Sequence, residues 1–308
     1  MSHIQAVCLM TLATLLASSG GVVTRHLEAD ASFEVTFWRS AFSALALALI
    51  LTIIRGPALW RCLFRSPAVL WLSGICWATS FTAFMVAMTL TSVANVLITM
   101  AIGPLITALF VRFFLHHNLP PATWLAIVAA GLGIAWMFMG KGEANLSVIG
   151  TLVAMGVPFA TAVNFTVLQK VGMDRLKAIT PGGKPVQDML PAVLVGAVLS
   201  AVITSPLSWP FQASVHDLRL LGMLGVVQLA LPCLLMVRLA RELPAPEISL
   251  LSLLEVIFGV TWAWLWTNEP LSVHTLQGGT LVIAALVVNE LARLMRQNRQ
   301  MRKAKMQI

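Results

Sequence analysis

Residues Ala245–Ser272 read APEISLLSLLEVIFGVTWAWLWTNEPLS, and their interpretation decides the fold. The stretch is long enough to cross a bilayer, which takes roughly 20 mostly apolar residues. It carries one carboxylate, Glu255, in its apolar interior, and it closes on a Trp cluster and a turn. A second stretch, Ala94–Pro120, reads ANVLITMAIGPLITALFVRFFLHHNLP and follows a similar plan. Two such stretches in one chain point to a duplicated membrane bundle.

Composition supports that class. Hydrophobic residues make up 58% of the 308 residues and charged residues only 10%, against about 25% charged in soluble domains. A chain this apolar could not cover its surface with polar groups in water. Ten segments have the length and hydropathy of spans: Ile4–Thr24, Phe33–Ile54, Ala68–Thr89, Val93–Phe113, Ala122–Met139, Leu146–Leu168, Val186–Ser205, Leu218–Val237, Ile248–Trp266 and Val273–Leu294. The first has no Lys or Arg in its leader and runs into SSGGVVT without a cleavage site, so it reads as a span rather than a signal peptide.

The net charge of +8 is informative through its distribution. With the N-terminus placed in the cytoplasm, 16 Lys and Arg fall on the inside: Arg55, Arg61, Arg65, Arg112, Lys170, Arg175, Lys177, Lys184, Arg238, Arg241 and six from Arg293 onward. Arg25, Lys141 and Arg219 fall outside, and Arg39 lies within the second span. This is a strong positive-inside bias, and it predicts that both termini are cytoplasmic. No basic patch is interleaved with stacking aromatics, so nucleic acid is not an expected partner.

Five spans lie on each side of the polar link Lys141–Asn145. Because five is odd, two halves of one fold must be inverted relative to each other, an arrangement that places a substrate site near the bilayer midplane. The expected units are 1–143 and 144–294, followed by a basic cytoplasmic tail, 295–308. An offset of 152 residues aligns Gly103-Pro104 with Glu255-Val256 and Leu119 with Leu271. The match is one of hydropathy and turn position, with little identity. Gln169–Pro185, basic and broken by Pro181, Gly182, Gly183 and Pro185, reads as a flexible cytoplasmic linker, and the tail as a continuation of the tenth helix.

Polar residues inside spans are the candidates for function, because charge at a helix centre costs roughly 2.5–3.5 kcal/mol on insertion scales. Glu255 leads, with Ser252 and Gly259 on the same helix face. It either binds substrate or a proton, or it ties helices together. Asn95, Thr99, Gly103 and Thr107 recur every fourth residue of the fourth span and form a matching face. Asn164, Gln228 and Ser80 lie within the sixth, eighth and third spans. Trp77, away from the interfacial belt where Trp60, Trp71, Trp209 and Trp266 are expected, would stack on an apolar substrate or fill the bundle. Arg39 is placed near the outer end of its span, where snorkelling is the default behaviour. Pro104, Pro158 and Pro232 are candidate hinges, since each removes a backbone donor.

The four cysteines are scattered, without zinc or redox spacing, and the adjacent His116 and His117 do not share a helix face. Walker, GxSxG, HExxH and Asp-rich motifs are missing from the sequence, so neither a cofactor nor a metal is expected, nor an enzyme.

The two segments GPLITALFVRFFLHHNLPPATW and LEVIFGVTWAWLWTNEPLSVHTLQGG resemble those of the EamA-type drug/metabolite transporters. Val256 stands where that family commonly has Pro, Asn268 where it has Gly, and His117 replaces a turn Glu. The resemblance implies an all-α membrane protein of ten helices in two inverted five-helix repeats. Spans one, three, four, six, eight and nine would surround a central cavity, with five and ten peripheral. It further implies an inner-membrane exporter of aromatic and other neutral amino acids, working by alternating access as a monomer or weak dimer. The partners would be a small-molecule substrate and the lipid bilayer. A proton-coupled multidrug or lipophilic-cation exporter is the alternative, and a channel a more distant one.

Overall fold

The computed structural model describes residues 3–20, 23, 27, 32–91, 93–116, 119–137, 147–178, 188–267 and 273–305. Within them the elements are α1 (His3–Ala17), α2 (Ser32–Arg55), α3 (Ala58–Phe64), α4 (Ala68–Leu90), α5 (Val93–Met100), α6 (Gly103–Phe114) and α7 (Pro121–Met137) in the first half. The second half holds α8 (Val148–Ala178), α9 (Pro191–Thr204), α10 (Val215–Met223), a π-helical segment (Leu224–Ala230), α11 (Leu231–Leu239), α12 (Ala245–Ser252), α13 (Leu254–Thr267) and α14 (Val273–Lys305). No strand occurs among the described residues.

Among the described residues, four helices are long and apolar enough to cross a membrane: Phe33–Arg55, Ala68–Met88, Val148–Asp174 and the continuous Val215–Leu239. The other apolar helices are shorter, among them His3–Ala17, Gly103–Phe114, Pro121–Trp136 and Leu276–Asn289. The surface is inside out for water. Leu125 is 70% and Leu152 68% exposed, while the hydroxyl residues Ser40, Ser43, Ser73, Thr107, Ser200 and Thr204 are fully buried. Exposed apolar area on this scale needs lipid to cover it.

Packing follows a rule of two. α8 of the second half packs against α4, α5 and α6 of the first, and α1 of the first half packs against α11, α12 and α13 of the second. α4 crosses α9, and its counterpart, the π segment, crosses α2. Two pairs join an element to its own counterpart, α2 with α9 and α7 with α14, and α6 packs on α12. Exchanging the halves therefore maps the main packed pairs onto one another, those of α8 onto those of α1 and the α4–α9 crossing onto that of the π segment with α2, as a two-repeat fold requires. α7 and α14 pack chiefly on each other and lie at the periphery.

Glycines set the two counterpart crossings. A Cβ on Gly196 would collide with the Trp77 Cβ of α4. One on Gly225 of the π segment would fall 2.7 Å from the Arg39 carbonyl oxygen and 2.8 Å from the Ser43 nitrogen. Small residues let helix backbones approach closely where lipid supplies no hydrophobic drive to associate.

Several boundaries depart from the hydropathy reading. The first span turns at Ser18 and Ser19, whose hydroxyls donate back to the Leu15 and Leu16 carbonyls, and helical backbone recurs at Gly20 and Val23. α3 was not expected; its apolar run of seven residues is too short to register as a span. Residues 169–178, read as linker, continue α8, since Lys and Arg suit the C-terminal end of a helix. The tail continues α14 to Lys305, as anticipated. The link Lys141–Asn145, residues 179–187 and the turn 268–272 lie outside the described residues.

Candidate functional site

The fourth and ninth spans are both broken. Between α5 and α6, Ala101 and Ile102 form a turn, with the Ile102 N–H on the Thr99 carbonyl at 3.2 Å. Pro104 stands in the first turn of α6, where its missing donor costs nothing. Between α12 and α13, Leu253 makes the corresponding turn, its N–H on the Leu250 carbonyl at 3.2 Å and the Val256 N–H on Leu253 at 3.1 Å. Leu253 lies 152 residues beyond Ala101, the offset that aligned the halves. The ninth span thus bends without a proline, and Glu255 falls in the first turn of α13. A carboxylate is favoured there by the unpaired N–H groups and the dipole of a helix N-terminus. Discontinuous helices at matching positions of two repeats are where transporters of this architecture build their sites.

A third irregularity lies beside these breaks. Pro232 has no N–H for the Gln228 carbonyl, and its ring crowds that oxygen. The helix widens into the π segment, the Leu231 N–H reaching back to the Val226 carbonyl. Such segments are frequent at functional sites. Gln228 sits within it, against Gly20: a Cβ on Gly20 would come 2.9 Å from Gln228 Nε2.

Gln228 leads to the residue that the sequence reading misplaced. Arg39 does not snorkel; it is 4% exposed, in the middle of the bundle. Its Nη1 donates to Gln228 Oε1 at 3.5 Å and its Nη2 to the Phe81 carbonyl at 3.4 Å, while its Nε has no partner. Two long hydrogen bonds are poor compensation for a buried guanidinium, which has five donors to satisfy. Glu255 and Cys233 lie within electrostatic range of it, yet no ion pair or hydrogen bond joins Glu255 to any described residue. Arg39 does not pair with Glu34 either. Glu34, also buried, accepts from the backbone N–H groups of Gln212 at 2.9 and 3.1 Å and Ala213 at 2.8 Å, and so fastens the loop after α9.

The other anticipated residues fall into two groups. Trp77 and Gln228 adjoin the Arg39 region: Trp77 packs against Phe81 with ring centroids 5.5 Å apart and planes tilted by 34°, and its buried Nε1 has no partner. Asn164 and Ser80 instead tie α8 to α4. Ser73 Oγ donates to Asn164 Oδ1 at 2.6 Å, and Ser80 and Thr161 hydroxyls lie 3.4 Å apart. The Ser252 hydroxyl donates to the Ile248 carbonyl at 2.8 Å, one turn before the break. Thr99 is buried, and the Asn95 side chain lies outside the described residues. The side chains that meet where the fourth and ninth spans touch are Thr107 and Ser249, Oγ1 to Oγ at 3.3 Å. Gly259 faces the Ser18 carbonyl at the end of α1 instead of the fourth span, and Trp262 Nε1 donates to Ser18 Oγ at 3.0 Å. Of the proposed hinges, Pro104 and Pro232 mark irregularities, whereas α8 runs through Pro158 without interruption.

One end of the bundle is tied by polar contacts that pattern reading did not find. Asp188 takes Arg55 at 2.7 Å on one oxygen and Arg241 at 3.0 Å on the other. Gln169 Oε1 accepts the Ala245 N–H at 2.9 Å, and His3 Nε2 lies 3.1 Å from Glu247 Oε1. Together these link the ends of α1, α2, α8, α9, α11 and α12. Among the described residues no group of three His, Cys, Asp or Glu is placed to hold a metal.

Repeated helical halves, matched helix breaks and a buried arginine with a carboxylate in electrostatic range define a membrane transporter. The chain belongs to the EamA-like transporter family, whose model matches it twice, over residues 4–139 and 148–290. It is a multi-pass protein of the bacterial inner membrane. It is similar to the pseudopaline exporter CntI of Pseudomonas aeruginosa strain UCBPP-PA14, with 22% identity over 284 residues covering 90% of this chain and 94% of that one. An uncharacterised transporter of the same species is 30% identical over 112 residues, 35% of this chain and 38% of its own. One solved crystal structure superposes with a TM-score of 0.76 at 17% identity, over 96% of this chain and 99% of that one, which establishes a shared fold.

Proposed function

We propose that the protein exports small metabolites, with aromatic and other neutral amino acids as its substrates, by alternating access between two inverted five-helix repeats. The repeats would comprise 1–143 and 144–294, as ten spans with both termini and the basic tail 295–308 in the cytoplasm. The observation that supports this reading is the pair of breaks at Ala101–Ile102 and at Leu253, at matching positions of two spans that meet through Thr107 and Ser249. Trp77 would form an apolar wall, Gln228 and Thr99 would supply hydrogen bonds with Asn95, and Glu255 would anchor the substrate amine. Asn164, Ser80 and Ser252 would support the cavity walls. Pro104 and Pro232 would mark the bending points, with Pro158 giving beside Gly103. CntI, named for export of pseudopaline, supports export of a metabolite in general.

Counterflow in proteoliposomes tests the proposal. Saturable exchange of radiolabelled L-phenylalanine, competed by other neutral amino acids, is the expected result. Linear, non-saturating flux would identify a pore. The second reading, a proton-coupled carrier of lipophilic cations, draws on Glu255 having no ion-pair partner among the described residues. It requires that uptake of a cation such as tetraphenylphosphonium depend on a pH gradient and on Glu255.

A further inference from the structure

We propose that Arg39 is the receptor for a substrate carboxylate, so that the central site selects amphoteric molecules over lipophilic cations. The proposal rests on the transporter reading above and names the chemistry of its substrate. Arg39 is buried, held at two of its nitrogens by long hydrogen bonds to Gln228 and the Phe81 carbonyl, and unpartnered at Nε. A second buried donor, Trp77 Nε1, is also unpartnered, and Trp77 packs against the residue whose carbonyl Arg39 binds.

Each neighbour argues against a purely structural arginine. Glu255, near enough to act on Arg39 electrostatically, makes no ion pair with it. Glu34, one turn before Arg39 on the same helix, is consumed by the loop at 212–213. Gln228 presents its oxygen to Arg39 from the one stretch of the described bundle where the backbone is widened. A planar guanidinium with spare, parallel donors matches a carboxylate in two-pronged geometry. An amino acid would then place its carboxylate on Arg39 and its ammonium toward Glu255, and each charge would gain the ion-pair partner it lacks among the described residues. A lone organic cation would meet the fixed positive charge unrelieved.

The test is ligand-dependent stabilisation of the purified full chain in detergent, with four probes of nearly equal size: L-phenylalanine, 3-phenylpropionate, L-phenylalaninamide and 2-phenylethylamine. Phenylalanine should bind tightest and phenylpropionate next, with the amide and the amine about tenfold or more weaker than phenylalanine, the loss expected for removing a charge-assisted hydrogen bond. Arg39→Gln should flatten the two acids to the level of the amide, and Arg39→Lys should recover part of the difference, a point charge replacing the fork. The wild-type probe series needs no variant, so a misfolded Arg39→Gln does not remove the test. Detectable and equal binding of phenylethylamine and phenylalanine to the wild type overturns the assignment, as does unchanged acid binding by a folded Arg39→Gln. A parallel aliphatic series, leucine, 4-methylvalerate and isoamylamine, separates the two levels of the argument. Acid-over-amine order in that series alone removes the aromatic substrate and keeps Arg39 as receptor. No acid binding in either series removes the receptor.

Discussion

The fourth and ninth spans break at the same place in their repeats and do so with different chemistry. At 101–102 the break is followed by Gly103-Pro104, a pair that ends one helix and starts another by covalent constraint. At Leu253 the following residues are Leu254, Glu255 and Val256, all able to continue a helix, and the turn forms nonetheless. The position of a break is therefore a property of the repeat and of its packing, and the residues at it are free to take other work. In the first half they impose a bend; in the second they deliver a carboxylate to a helix N-terminus.

The strongest way to break the comparison is to fill the crossings that hold both breaks in register. Gly225→Val puts side-chain atoms where the Arg39 carbonyl and Ser43 nitrogen already lie under 3 Å from a Cβ, and these are backbone atoms that cannot step aside. Overpacking of this kind typically costs about 1–3 kcal/mol and occasionally more, so the variant should lose most of its monodisperse, folded yield in detergent-solubilised size exclusion. Gly103→Ala, whose Cβ would meet only Pro158 and Ser249 at 3.7 Å, should purify like the wild type.

The next effect is functional. Glu255→Gln preserves shape and removes the charge; if the ninth break exists to present that charge, amino acid counterflow should fall by about tenfold or more, the scale of a lost charged contact. Pro104→Ala at the counterpart break should leave counterflow within about threefold, since that residue shapes the backbone and presents no polar group. Equal effects at the two positions would erase the distinction between bending and binding.

How far the sequence carried these conclusions differs from residue to residue. Hydropathy reported a membrane bundle because lipid demands long apolar runs, whereas the break at Leu253 was not legible, since no proline announces it and the 152-residue offset only aligned Gly103-Pro104 with Glu255-Val256. Glu255 was conspicuous as a carboxylate inside a span. Arg39 was not, because a cation seven residues into a helix reads equally well as snorkelling or as buried. What decides it is the crossing of α2 with α4 and the π segment, a tertiary fact. Asn164 was misleading for the opposite reason. A buried amide looks like a ligand group until its partner Ser73, 91 residues away in sequence, is seen to occupy it. The Asp188 contacts were invisible because they join three chain segments that share no pattern.

A smaller effect is expected at Asp188, which accepts from Arg55 and Arg241 with all three side chains partly exposed. Exposed pairs contribute little to stability, typically under about 1 kcal/mol each. Asp188→Asn should therefore lower the melting temperature by only a few degrees. Its clearer signature should be kinetic: with one end of the bundle less firmly tied, the rate of exchange should change while the half-saturating substrate concentration stays within about twofold, because Asp188 does not adjoin the Arg39 cluster. Counterflow at several substrate concentrations separates the two.

The smallest effect is the most diagnostic. Val256→Pro places at the ninth break the residue type found at the fourth. If the break is set by the repeat, the proline enters a first helical turn, where its missing donor removes only the 3.1 Å bond from Val256 to the Leu253 carbonyl. Melting temperature and counterflow should both stay near wild type, with a stability change of about 1 kcal/mol or less. If instead α12 and α13 form one continuous helix during the transport cycle, Val256 N–H must reach the Ser252 carbonyl in that state, and proline would forbid it. Transport would then collapse while the folded protein remained stable. Stability and flux measured on the same preparation thus decide whether the ninth span stays broken throughout the cycle or straightens as the repeats exchange.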